Sequence, residues 1–315
     1  MRIFITGATG YIGRVVVQKA VAAGHNVYGL SRSDEGDARL ATLCATAVGG
    51  QLTDLDVLHE QAAKADAVLH LGYIHDWNMP YEQVLAIDAA AVDAMATGMH
   101  LTEKPLVTTS GSAVVEPDPN GDETLEEAPI SKTFVLRERI KAERHALSKV
   151  NEGVKVSAIR LPPYVYGRGG SHFAPALLEA AAKTGESIYV GDGSIRTSTV
   201  EVDDAADLFL LAAKKAKPGD VFNGVGSTSV TLRALAVAIG EALGVPVRSV
   251  RLDEAKAIWG EFLTSFVQFE NRASSRKAIL ELGWKPLGTD ILTDLRVGSY
   301  APMVAKLREK VPQHH

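Results

Sequence analysis

Short apolar runs alternate with longer amphipathic stretches through the first half of the chain. Ile3-Phe4-Ile5 is the first run, and an unbroken apolar triplet predicts a strand buried on both faces. From Tyr11 to about Ala23 the apolar residues recur at helical spacing, and Gly24 ends that helix. Further strands are predicted at His25–Leu30, Thr46–Val48, Ala67–Gly72, Pro105–Thr109 and Val156–Leu161. Helices are predicted at about Asp54–Ala65, at Tyr81–Met99 and near residues 133–150, whereas Glu116–Ser131, rich in Pro, Asp, Glu and Gly, reads as a loop. Alternation of this kind predicts an α/β fold, a doubly wound parallel sheet covered by helices on both faces. Later come helices at His172–Lys183, Ala205–Lys214 (capped by Asp203) and Leu232–Leu243, with short strands at Ile188–Val190, Val221–Asn223 and Val247–Val250.

The junction between the first strand and the first helix carries the chemistry. Gly7, Gly10 and Gly13 punctuate Ile5-Thr6-Gly7-Ala8-Thr9-Gly10-Tyr11-Ile12-Gly13. One glycine allows the tight turn, one leaves room for a pyrophosphate against the backbone, and one lets helix and strand pack closely. Free N–H groups at the helix start, together with the helix dipole, favour a phosphate there. The candidate cofactor contacts are therefore Gly7, Thr9, Gly10, Tyr11, Ile12 and Gly13.

In this spacing the stretch resembles the extended, epimerase/dehydratase-like branch of the short-chain dehydrogenase/reductase superfamily. The resemblance implies a Rossmann-type dinucleotide-binding domain over residues 1–170. It also implies a smaller C-terminal substrate-binding portion over 171–315, with segments near 195–225 returning to the main sheet. Pro162-Pro163-Tyr164-Val165-Tyr166-Gly167 and Lys277–Pro286 resemble the same branch. Along the cofactor it places Leu52, Leu71, Gly72, Tyr73, Thr109, Leu161, Pro162, Pro163 and Val165, and it makes Arg196, Trp259 and Phe262 possible pocket lining. Glu201 stands where the family often has histidine. The adenosine end is read from Ser31-Arg32-Ser33, which closes the second strand where an NAD-binding unit usually has an acid. A carboxylate would repel a 2′-phosphate, whereas an arginine between two hydroxyls would bind it, so NADP(H) is preferred and NAD(H) is possible.

For catalysis the resemblance points to Ser110 as the hydroxyl that holds charge developing on the substrate oxygen, with Ser112 as an alternative. The family's Tyr-x-x-x-Lys pair is absent: none of the eight tyrosines has lysine four residues later. Matching Glu143 to the family's glutamate puts Arg139 at the lysine position and Val135 at the tyrosine position. Arg139 can bind ribose or an anionic substrate, but it cannot exchange a proton near neutral pH. Tyr164, His75 and Tyr73 are candidates to supply the proton, the last two from the loop Tyr73-Ile74-His75-Asp76-Trp77-Asn78 at the sheet's carboxyl edge. His70, inside an apolar run, reads as a core histidine.

Composition narrows the partners. A net charge of -5 gives no basic footprint for nucleic acid or membrane, and no apolar run approaches membrane-spanning length. Cys44 is the only cysteine, so neither an internal disulfide nor a thiolate metal cluster can form. The chain opens directly on strand residues without a signal peptide, and a cytoplasmic location is expected. His314-His315 has the look of a purification-tag remnant. The resemblance also allows a homodimer through the helices at 81–99 and 133–150. The expected function is NADP(H)-dependent oxidoreduction of a small organic carbonyl, alcohol or activated double bond. Its alternatives are an epimerase/dehydratase-like enzyme acting on a sugar or similar substrate, and a non-catalytic NAD(P)-binding sensor.

Overall fold

The structure, a computed structural model, describes residues 1–76 and 78–312; Trp77 of the candidate loop and the terminal His314-His315 lie outside the described residues. The chain runs β1 (Arg2–Thr6), α1 (Tyr11–Ala22), β2 (Asn26–Ser31), α2 (Asp34–Thr42), β3 (Thr46–Gly49), α3 (Leu55–Lys64) and β4 (Ala67–His70). It continues through α4 (Tyr81–Gly98), β5 (Pro105–Gly111), α5 (Arg139–Ser148), β6 (Lys155–Leu161) and β7 (Tyr164–Tyr166). The later elements are α6 (Phe173–Thr184), β8 (Ser187–Val190), β9 (Arg196–Glu201), α7 (Val202–Lys215), β10 (Val221–Asn223) and β11 (Ser227–Thr231). Last come α8 (Leu232–Leu243), β12 (Val247–Val250), α9 (Leu252–Val267), α10 (Ile291–Val297) and α11 (Ala301–Arg308).

Seven strands form one parallel sheet in the order β10-β6-β5-β4-β1-β2-β3. The apolar triplet of β1 explains why both faces are covered. Ile3 and Ile5 join Val16 of α1 and Phe209 of α7 in one core, whereas Phe4 joins Leu58 of α3 and Met95 of α4 in another. Strand order reverses between β1 and β4, and open α/β sheets bind ligands at the carboxyl edge beside such a reversal. A further core is built by α6, α8, α10 and α11 around Leu178, Leu235, Ile291 and Tyr300. Among the described residues no helix is long and apolar enough to cross a membrane.

Three local expectations change. The helix foreseen near residues 133–150 begins at Arg139. Ahead of it Ser131 Oγ accepts the Phe134 N–H at 3.0 Å, and Phe134 is buried against the Phe269 ring at 4.6 Å, which holds this segment as a turn. The helix expected at Ala205 begins at Val202, because the Glu201 carboxylate, not Asp203, caps it by accepting the Asp203 N–H at 2.6 Å. Asp203 instead pairs with both Arg168 (2.6 Å) and Lys19 (3.4 Å). Of the segments near 195–225, β10 joins the main sheet, whereas β9 pairs with β7 and β11.

Candidate active site

Three glycines between β1 and α1 meet three different constraints. Gly7 has φ +68°, and a Cβ there would stand 2.7 Å from the Gly72 nitrogen. At Gly13 a Cβ would fall 2.0 Å from the Gly7 carbonyl oxygen, so helix and strand touch backbone to backbone. Gly10 is exposed, and its only close neighbour is the same oxygen at 3.2 Å. No side chain caps α1 and no acid stands in its first turn. The open N–H groups and the positive end of the helix dipole therefore face the sheet edge unopposed, and this cradle fits a dinucleotide diphosphate. Tyr11 offers it only backbone, because its hydroxyl is spent on the Gly167 carbonyl at 2.7 Å. Burial pushes that phenol far above its ordinary range, and Tyr300, Glu201 and Asp294 add to the effect.

The next corner refines the sequence expectation. Ser31 is buried and donates to the Ser33 carbonyl at 3.2 Å, while Ser33 Oγ caps α2 by accepting the Gly36 N–H at 3.2 Å. Both hydroxyls thus build the corner. Thr9 packs beside it, since a Cβ on Gly36 would lie 3.1 Å from Thr9 Cγ2. Arg32 is exposed and makes no hydrogen bond, ion pair or ring contact with a described residue. After β3 and β4, Leu52, Leu71 and Tyr73 are half-buried, and a Cβ on Gly72 would meet Leu52 Cδ2 at 3.1 Å.

At the end of β5 the two serines separate. Ser110 lies inside the strand, one residue earlier in the edge than a turn position; it is 5% exposed and its Oγ has no hydrogen-bond partner. Ser112 is fully buried and donates to Asn271 Oδ1 at 2.8 Å, so its proton is committed elsewhere.

Arg139 opens α5 on the same edge. Its Nη2 donates to the Thr109 carbonyl at 2.8 Å, and its guanidinium lies over the Tyr73 ring, 3.4 Å from the centroid. Arg139 Nη1 is buried 4.0 Å from Asp88 Oδ1 without a hydrogen bond. Val135 is exposed on the preceding turn and offers no proton. Tyr73 donates its hydroxyl to Tyr81 at 3.2 Å; burial raises its pKa against the opposing charge of Arg139. His75 packs edge-on to Tyr73 at 5.4 Å. Its outer side is open to solvent, yet desolvation of its inner side, then the charges of Arg139 and His172, hold it below the usual imidazole range.

Tyr164 goes elsewhere. Alternation along β7 turns it and Tyr166 into the smaller core, with Phe173 at 6.2 Å and Phe266 at 6.5 Å, while Val165 faces the main core. Burial alone raises its pKa well above the ordinary phenol value, with no cation beside it to oppose the shift. Leu161 and Pro162 are buried and Pro163 is half-buried where β6 leaves the sheet. Arg196 pairs with Glu270 at 2.8 Å, and Trp259 and Phe262 pack on the smaller core.

Sequence reasoning passed over Asp88, although a signal was present. A carboxylate shares the buried stripe of α4 with Val84, Ala91, Val92 and Met95. His70, expected in the core, is indeed buried there, with Nε2 3.3 Å from Asp88 and Nδ1 2.7 Å from Thr6 Oγ1.

Comparison with known proteins adds a lineage to this geometry. A profile described as the NAD dependent epimerase/dehydratase family matches residues 3–224. An uncharacterized protein of Schizosaccharomyces pombe is 37% identical over 300 residues, covering 95% of this chain and all 100% of its own. A 4-hydroxy-2-methyl-3-oxo-4-farnesyl-3,4-dihydroquinoline-1-oxide ketoreductase of Stigmatella aurantiaca is 27% identical over 253 residues, 78% of this chain and 74% of its own. Among solved structures, UDP-glucuronic acid 4-epimerase of Bacillus cereus, in complex with UDP-glucuronic acid and NAD, is alike in fold. The TM-score is 0.77 over 98% of this chain and 100% of that one, at 17% identity.

Proposed function

The chain belongs to the NAD dependent epimerase/dehydratase family, and from that premise we propose that it is an NADP(H)-dependent reductase of small organic carbonyl compounds. Ser110 carries the proposal. Leaving a buried hydroxyl without a partner costs about 1–3 kcal/mol, and Ser110 Oγ is such a group at the carboxyl edge of the sheet. A substrate carbonyl oxygen accepting a hydrogen bond from it recovers that cost. The bond strengthens as negative charge gathers on the oxygen. Reduced nicotinamide, when bound, supplies the hydride. Arg139 keeps its charge throughout and orients what lies against Thr109 and Tyr73 without moving a proton. The ketoreductase relative supports reduction over epimerisation. A purely cofactor-binding protein is the second reading, favoured by the exposed Val135 where the family's acid would stand.

Mixing the protein with NADPH and a panel of aldehydes, ketones, diketones and enones, and following absorbance at 340 nm, tests the proposal. The expected result is carbonyl-dependent loss of NADPH. Tight NADPH binding without turnover on any carbonyl would favour the second reading, and conversion of a UDP-sugar without net NADPH loss would favour an epimerase.

Two further outcomes are expected. Arg32 is exposed after β2 without a partner among the described residues, and on this reading it meets the 2′-phosphate, so Arg32→Glu should weaken NADPH binding by roughly tenfold to a hundredfold, the range of a lost charged hydrogen bond. NADH binding should change less than threefold on the scale of such effects; equal losses for both cofactors would remove Arg32 from the 2′-phosphate. His75 is the better placed proton source, exposed on the loop after β4 while Tyr164 is enclosed. Its pKa is lowered, so the protonated form that can donate disappears as pH rises through that lowered value. The kcat for reduction should therefore climb as pH falls below about 6.5, the ordinary imidazole value, and His75→Asn should flatten that limb. An unchanged profile in the variant would exclude His75 as the donor.

A further inference from the structure

A chain of polar groups runs from the cofactor turn into the cleft, through the apolar interior of the sheet. It starts at Gly72, whose N–H donates to Thr6 Oγ1 at 3.0 Å. That leaves the Thr6 hydroxyl proton in need of an acceptor, and His70 Nδ1 at 2.7 Å is the one within reach. With Nδ1 accepting, the ring proton sits on Nε2 and points to Asp88 Oδ1 at 3.3 Å. The same carboxylate oxygen lies 4.0 Å from Arg139 Nη1. Thr109, whose carbonyl holds Arg139 Nη2, returns its own hydroxyl proton to the His70 carbonyl at 2.9 Å. The loop of contacts closes on itself across β1, β4, β5, α4 and α5.

Asp88 is 5% exposed, and a buried carboxylate in an alanine-rich helix is costly unless it is paired. Burial pushes its carboxyl up, but the hydrogen bond from His70 and the charge of Arg139 outweigh it and hold the pKa below the ordinary range. The pair is asymmetric in a way that a plain structural salt bridge is not. Arg160 and Glu143 show the structural kind nearby, with two direct bonds of 2.8 and 2.6 Å and both partners buried. Asp88, in contrast, makes its hydrogen bond to His70 and offers Arg139 only field and proximity. Arg139 is left with one committed edge on Thr109, one ring face on Tyr73, and a buried Nη1 without an acceptor.

We propose that Asp88, seated by His70, is the positioning residue that fixes the Arg139 guanidinium on the floor of the cleft. Its charge holds the guanidinium over the Tyr73 ring and leaves the buried Nη1 with protons that only a ligand oxygen reaching it would accept. Asp88 itself touches neither substrate nor cofactor. The proposal rests on the reading that NADP(H) binds at this edge with Arg139 beside it.

A double-mutant cycle on NADPH binding tests it, using Asp88→Asn, Arg139→Ala and the pair together, each checked for folding by thermal melting. Asp88→Asn is expected to raise the NADPH Kd about tenfold in the Arg139 protein and less than twofold once Arg139 is alanine. A purely structural role for Asp88 would weaken binding equally in both backgrounds, and that result, or unchanged or tighter binding in Asp88→Asn, overturns the proposal. Should Asp88→Asn fail to fold, His70→Gln takes its place. It keeps the carboxylate but removes its seat, and the same non-additive loss is required. Failure of the underlying reading is separate, since the unsubstituted protein would then not bind NADPH at all, and the proposal would fall with it.

Discussion

Gly13→Ala is expected to raise the Kd for NADPH by roughly a hundredfold, equivalent to about 2.7 kcal/mol. A single methyl group does this because of where it must go. The new Cβ would sit 2.0 Å from the Gly7 carbonyl oxygen and 2.8 Å from its carbon, and both are backbone atoms of the turn itself. Neither can rotate away, so α1 must shift off β1, carrying with it the N–H groups that face the diphosphate. Overpacking of this kind also costs about 1–3 kcal/mol of stability, a fall of several degrees in Tm for a chain of this size. Gly24→Ala is the control: its φ of +78° is unsuited to alanine, a strain that Gly13 inside α1 does not carry, but nothing lies within 4 Å of the new Cβ. It should lower Tm and leave NADPH affinity within about twofold, a difference too small to register as a lost contact. Calorimetric titration of the two variants separates backbone strain in general from damage to the cradle.

Ser110→Ala is the second large effect. Removing one donor to a developing oxyanion typically costs a factor of about 10²–10³ in kcat, and the neighbouring serine is not free to replace it. Ser112 is the nearest in sequence, but its proton is held by Asn271 at 2.8 Å in a fully buried site. The loss should appear in kcat with little change in the NADPH Kd, since Ser110 acts on substrate. Stability should not fall, because the hydroxyl removed has no partner to lose. Steady-state kinetics and a melting curve together check this. Equal kcat values for the variant and the parent would show that another group holds the oxygen.

Where the physics is local and periodic, the sequence was informative. The apolar triplet of β1, the glycines behind it and the strands as far as β6 follow from side-chain period and backbone freedom, and the sheet has those strands where they were expected, whereas α2 was not foreseen and α5 starts late. The site was legible in part. Arg139 could be placed by counting back from Glu143, and its guanidinium lies against the end of β5 and the Tyr73 ring. Tyr164 could not be judged, because whether a β7 side chain faces the cleft or the smaller core depends on which core claims that face. Ser33 looked like a phosphate ligand for as long as the start of α2 was unknown; once Asp34 opens a helix, its oxygen is needed as a cap. Asp88 was hidden by distance in sequence, since its meaning comes from His70 and Arg139, which lie on β4 and α5.

The transfer of hydride to a carbonyl carbon can be read without any mutation. NADPH carrying deuterium at both C4 positions of the nicotinamide, incubated with the protein and the carbonyl that most accelerates its oxidation, should yield an alcohol carrying one deuterium at the former carbonyl carbon by mass spectrometry. Saturable binding of NADPH with no deuterium entering any carbonyl of the panel would contradict the account.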